Sequence, residues 1–116
     1  MIESKPKFVQ GAFPFKGTGY ATPIPLAETA HYTVPPDKRA QLIYFRAGNS
    51  SSELIYLLMS RDGKPMRYFP IGAKASEHVS LAVVEDLNPD SKLEVLIGAP
   101  DGVAGTVVLD LGLVEI

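Results

Sequence analysis

The sequence contains no cysteine and no tryptophan, and only two histidines. Without cysteine it has no disulfide, no thiolate zinc site and no thiol nucleophile. His31 and His78 show neither His-x-His nor any other metal-ligand spacing, so a two-histidine centre would need distant strands to meet. No apolar run reaches the roughly 18 residues that a membrane helix requires. The opening stretch MIESKPKFVQGAFPFKG also lacks the continuous apolar core of a signal peptide. The expectation is a soluble protein with no membrane partner, cytoplasmic by default and secreted if a leader has been removed. No phosphate loop, dinucleotide fingerprint or Ser-His-Asp set is present. Adjacent acid pairs such as Glu85-Asp86 would point to opposite sides of a strand. The residues therefore point away from an enzyme.

What the chain does have is turns. Its 116 residues are enough for one domain with its own core. A hydrophobic content of 46% with 21% charged residues is that of an ordinary globular protein. Ten prolines and ten glycines punctuate short apolar runs, which predicts an all-β domain.

The organising stretch is residues 39–71. Arg39–Ala47 alternates, with Leu42 and Tyr44 on one face and Gln41, Ile43 and Phe45 on the other. After the turn formers 48–52, Glu53–Arg61 is apolar on both faces, as in a central strand covered by a second sheet or by a partner. Asp62-Gly63 is a hairpin signal, because both turn residues must tolerate positive φ. Pro65 and Pro70 restrict Met66–Ile71 to an edge strand or a short segment.

Elsewhere, residues 1–28 read as an extended Pro/Gly-rich arm with one short strand, anchored by Phe8, Val9, Phe13, Phe15 and Tyr20. Thr29–Val34 is a short strand stopped by Pro35-Pro36. Glu77–Val84 alternates Val79, Leu81 and Val83 with His78, Ser80 and Ala82. Glu85–Ser91 is a polar loop holding Leu87. Lys92–Ala99 turns Leu93, Val95 and Ile97 inward, and Thr106–Ile116 does the same with Val107, Leu109, Leu111 and Leu113. Seven or eight strands at intervals near ten residues predict one antiparallel β-sandwich spanning 1–116, of jelly-roll type.

Charge is unevenly spread. Residues 39–74 carry six Lys/Arg against two acids, whereas residues 75–116 carry Lys92 against eight acids. Strands from the two halves are expected to lie side by side and pair their charges. A basic face for an acidic polymer is the sharper alternative. The net charge of −2 argues against nucleic acid as a partner.

From Ala30 to Ile116 the order of features resembles the jelly-roll carbohydrate-binding modules of families six, thirty-five and thirty-six. The matching stretches are Tyr44-Phe45-Arg46-Ala47-Gly48-Asn49, the Asp62-Gly63 hairpin with Phe69-Pro70, Leu87 with Leu93-Glu94-Val95, and Leu109-Asp110-Leu111. The resemblance implies a non-catalytic module that binds carbohydrate. Two features depart from it: there is no Trp to serve as a sugar platform, and only Glu28 stands where an acidic strand helps hold a structural calcium.

Sugar recognition needs aromatic faces for the ring and planar polar side chains for the hydroxyls. Tyr44, Tyr56, Tyr68 and Phe69 are candidates for the first role, and Arg46, Asn49, Arg67 and Asn88 for the second. The ligand set expected from the sequence is Tyr44, Arg46, Asn49, Arg67 and Tyr68. Ordinary sheet packing explains the same aromatics. Asp86, Asn88 and Asp90 place oxygens at alternate positions, as calcium prefers. The spacing is not that of an EF-hand, and a solvated acidic loop is the competing reading. No other cofactor is indicated. Two functions are carried forward: a non-catalytic binding module, and a structural or assembly protein acting through homo- or hetero-oligomeric contacts.

Overall fold

A computed structural model of the protein describes residues 4–116, with the side chains of 81–85 left outside the described set. The expected alternation of Leu81 and Val83 with Ala82 falls among those side chains. The described residues form β1 (Lys5–Lys16), β2 (Ile24–Pro25), β3 (His31–Thr33), β4 (Ala40–Asn49), β5 (Ile55–Arg61), β6 (Lys64–Ile71), β7 (Ser76–Leu87), β8 (Lys92–Gly98) and β9 (Ala104–Glu115). Four build a first sheet in the order β1-β9-β4-β7. The second sheet runs β2-β8-β5-β6, with β3 also paired to β8. All pairings are antiparallel, and the two sheets make a jelly-roll sandwich.

The period-two alternation builds the core. Leu93, Val95 and Ile97 of β8 and Val107, Leu109, Leu111 and Leu113 of β9 are all buried. Across the gap between the sheets, Phe45 of β4 stacks on Phe69 of β6 with ring centroids 3.8 Å apart. Such a pair adds about 0.5–1.5 kcal/mol beyond the burial of its area. A polar clamp also crosses the gap, where the Tyr32 hydroxyl donates to the Glu115 carboxylate. Burial, reinforced by the Glu115 hydrogen bond and charge, pushes the Tyr32 hydroxyl well above its ordinary range.

Asp62 and Gly63 both take positive φ, 52° and 81°, as the hairpin between β5 and β6 requires. β6, with its two prolines, is an edge strand. The double apolar character of β5 is resolved within the chain. Ile55, Leu57 and Met59 face the core, while on the outer side Leu58 is 4% exposed between its register neighbours Tyr68 and Leu96.

Several expectations need correction. The N-terminal arm contains a twelve-residue strand, β1, paired with β9 along its whole length. Its prolines rule out a helix but suit an edge strand, and Val9, Phe13 and Phe15 bury on one side. The strands number nine among the described residues, two of them very short. Leu42 and Phe45 were expected on opposite faces, yet both are fully buried. The register shifts between Leu42 and Tyr44, so a bulge at exposed Ile43 inserts one residue and resets the parity. Leu87 lies in β7 rather than in a loop, fully buried opposite Ala40.

Candidate functional site

The outer face of the first sheet is where its side chains organise into rows. Cross-strand pairing sets Gln10 opposite Asp110, Asp110 opposite Arg46, and Arg46 opposite His78. A polar row thus crosses all four strands. One step along the strands lies a row of Ala12, Val108, Gly48 and Ser76, in which exposed Val108 is the largest side chain. On the other side lies an aromatic row, with Phe8 and Tyr44 flanking Gly112.

Glycine at 112 has a geometric cause, since a Cβ there would come 2.1 Å from the Tyr44 ring. The tyrosine lies over its neighbour strand because that strand offers it no side chain. Arg46 follows two residues later on the same face, with its guanidinium carbon 5.8 Å from the centre of the Tyr44 ring. His78 meets Tyr44 edge to face at 6.3 Å.

Asp110 is the hub. Its Oδ2 accepts from Arg46 Nη2 at 2.7 Å, and its Oδ1 accepts from the Tyr44 hydroxyl at 2.8 Å and from Gln10 Nε2 at 3.0 Å. The Arg46 hydrogen bond, then those of Gln10 and Tyr44, hold its carboxyl below the usual carboxylate range. The same contacts act on their donors. Burial first, then Asp110, raises the Tyr44 hydroxyl above its ordinary value. The result is a network whose members orient one another. Beside it, Arg46, Gly48, Ser76, His78, Val108 and Asp110 help line a hollow of about 380 Å³. Its floor is low where Gly48 carries no side chain.

The residues expected to bind ligand are only partly brought together. Tyr44 and Arg46 share this face. Asn49 is buried, its amide nitrogen donating to the Glu53 and Gly72 carbonyls and its oxygen accepting from Ser51, so it ties down the loop after β4. Arg67 and Tyr68 lie on the other sheet, in register with Met59 and Leu58 respectively and hence on opposite faces of β6. Phe69 is in the core. Gln10, Asp110 and His78 were not among the expected ligand residues. The alternation of the last strand placed Asp110 on its outer face, but which neighbours it would meet depends on the register with β1 and β4.

Asp86, Asn88 and Asp90 sit at the end of β7 and in the turn that follows. The Asp86 carboxylate is engaged by Gln41 Nε2 at 3.0 Å and by Arg39 at 3.3 Å. Asp90 adopts a positive φ of 67° and its amide donates to the Val34 carbonyl. Among the described residues, no group of three or more His, Asp or Glu is placed to hold a metal. The uneven charges do pair: Arg39 with Asp86 and Arg46 with Asp110 join the basic β4 side to acidic β7 and β9.

The outer face of the second sheet is different in kind. Tyr20, from the segment after β1, stacks on Tyr56 at 6.3 Å and 25°, and Tyr68 leans on Tyr56 at 5.5 Å and 58°. Tyr56 lies over Gly98, where a Cβ would come 2.1 Å from its ring. The Tyr20 hydroxyl donates to the Leu54 carbonyl and the Tyr56 hydroxyl to the Tyr20 carbonyl. Tyr68 remains 60% exposed.

The two antiparallel sheets thus form a jelly-roll sandwich. The chain is similar to the native structure of a family 35 carbohydrate binding module from Clostridium thermocellum, with a TM-score of 0.52 at 13% identity, covering 94% of this chain and 97% of that one. That likeness is one of fold. No protein-family model and no curated protein matches the chain.

Proposed function

We propose that this protein is a non-catalytic binding module that holds a carbohydrate chain across the outer face of its first sheet. The observation that carries the reading is the row Gln10–Asp110–Arg46–His78, set between an aromatic row and a hollow floored by Gly48. Planar side chains already oriented by one another offer hydroxyl partners at little entropic cost. Phe8, 54% exposed, and Tyr44 present ring faces to the apolar side of a sugar. The fold it shares with a carbohydrate binding module supports the same reading. Asp110 orients its neighbours and accepts from them, its carboxyl held below the usual carboxylate range first by the Arg46 hydrogen bond.

Affinity electrophoresis through gels containing a panel of soluble polysaccharides, with and without calcium, tests this. We expect retardation by at least one polymer, weakened in Arg46→Ala and unchanged in Lys64→Ala, which alters the distant hairpin. Unretarded migration in every gel would sink the proposal.

A further inference from the structure

We infer that the outer face of the second sheet is a separate binding site for a neutral sugar chain, so that one molecule bridges two chains back to back. The inference rests on the carbohydrate reading above and extends it to a surface which that reading does not use.

The face has an aromatic end and a polar end. Tyr20, Tyr56 and Tyr68 form the first, with Pro70 in register beside Tyr56. His31, Glu94 and Ser60 stand side by side on β3, β8 and β5, four residues along β5 from Tyr56. Between these ends, Leu58, Leu96, Pro23 and Pro65 help line a hollow of about 280 Å³. From Tyr56 to Ser60 is four residues of strand, or about 13 Å at roughly 3.3 Å per residue.

Size decides against a second copy of the chain. Four strands about 4.8 Å apart over that length give a footprint on the order of 250 Å². A stable protein interface takes about 800 Å² from each partner. The ring geometry argues against a flat packed surface, because Tyr68 is tilted by 58° to Tyr56 and the rings do not share a plane. With the Tyr20 and Tyr56 hydroxyls spent on backbone carbonyls, the rings contribute faces, which suit the C–H side of a pyranose. Glu94 and His31 supply partners for hydroxyls at the other end, where the buried Ser60 donates its hydroxyl to the Glu94 carbonyl. Lys92 and Glu94 stand two residues apart on the outer side of β8, so this face carries no excess charge of either sign to favour a charged polymer. The ligand class is therefore a neutral oligosaccharide whose equatorial hydroxyls leave its ring faces bare.

Cellohexaose, which has that stereochemistry, is the probe. It is titrated into the full chain and the tyrosine ring signals are followed by NMR, in wild type and in Arg46→Ala. We expect the Tyr20, Tyr56 and Tyr68 signals to shift in both proteins. Tyr68→Ala should weaken this binding by roughly tenfold, as the loss of one ring contact implies, while Tyr68→Phe should keep it. With long hydroxyethylcellulose, wild type should raise light scattering through cross-linking, and each single-face variant should fail to do so. Shifts confined to Tyr44, or binding unchanged in Tyr68→Ala, would overturn the second site and leave the first standing. Shifts of Tyr68 that follow protein concentration without sugar would replace the sugar with a second copy. If none of the second-face tyrosines moves with cellohexaose while polysaccharide gels still retard the protein, the inference fails and the proposed function survives.

Discussion

The two outer faces of this sandwich use one device for opposite ends. On each, a tyrosine lies over a glycine of the neighbouring strand, Tyr44 over Gly112 and Tyr56 over Gly98. On the first sheet the tyrosine hydroxyl turns to a carboxylate and joins a four-residue polar network. On the second it turns to a backbone carbonyl, and the ring joins other rings. The difference lies in what the flanking strands supply. β9 and β4 bring Asp110 and Arg46 to the first face, whereas β6 and the segment after β1 bring Tyr68 and Tyr20 to the second. A β-sheet offers its face as a grid, and the chemistry of each square is set by the strand that passes there.

That comparison can be broken most severely from inside. Phe45→Ala removes the inter-sheet stack on which both faces rest, and should cost about 3–5 kcal/mol in denaturant unfolding. Both faces should then lose order together. Loss of one alone would mean that the sheets are stabilised independently.

Tyr32→Phe comes next. It leaves the buried Glu115 carboxylate without its donor, a loss of about 1–3 kcal/mol. The pH dependence carries a sign. Because the Tyr32 hydroxyl is raised above its unfolded value, near 10, its contribution is fully present below that pH and fades as pH climbs towards the folded value. Wild type should therefore lose stability on the alkaline side of pH 10, and the variant should lose less. Equal alkaline slopes in urea melts would contradict the clamp.

The faces are then separated by their glycines. Gly112→Ala should displace the Tyr44 ring and Gly98→Ala the Tyr56 ring, each for about 1–2 kcal/mol of overpacking. NMR should show each disturbance confined to its own face. Crossed effects would mean that the faces communicate through the core.

The smallest effect on stability is expected from Arg46→Ala, which removes an exposed partner. Its readout is the carboxyl titration of Asp110, which should move up towards the ordinary aspartate value. A depressed carboxyl stabilises the fold above its unfolded pKa and loses that contribution as pH falls through the folded one. The acid-side loss should therefore be shallower in the variant. An unchanged Asp110 titration would remove Arg46 from the network.

Much of the fold could be read in advance where the physics is local. The Asp62-Gly63 turn, the proline-bearing edge strand and the burial of alternate residues in β8 and β9 follow from backbone conformation and a period of two. The bulge at Ile43 could not be read, because one inserted residue leaves no mark until the strand is laid against β7 and β9. Of the first face, Tyr44 and Arg46 were legible as a pair two residues apart. Gln10, Asp110 and His78 were not, since they meet only through pairings between strands far apart in sequence. Arg67 and Tyr68 illustrate the converse: neighbours in sequence, they stand on opposite faces of β6.

The amino-acid sequence by itself determined that this chain is an all-β sandwich. Turn chemistry and alternation act within a few residues and need no distant partner. Tertiary structure alone decided which side chains share a face. Sheet order and register set strands as far apart as β1 and β9 next to each other, and a one-residue slip in register would have sent each row to the opposite side.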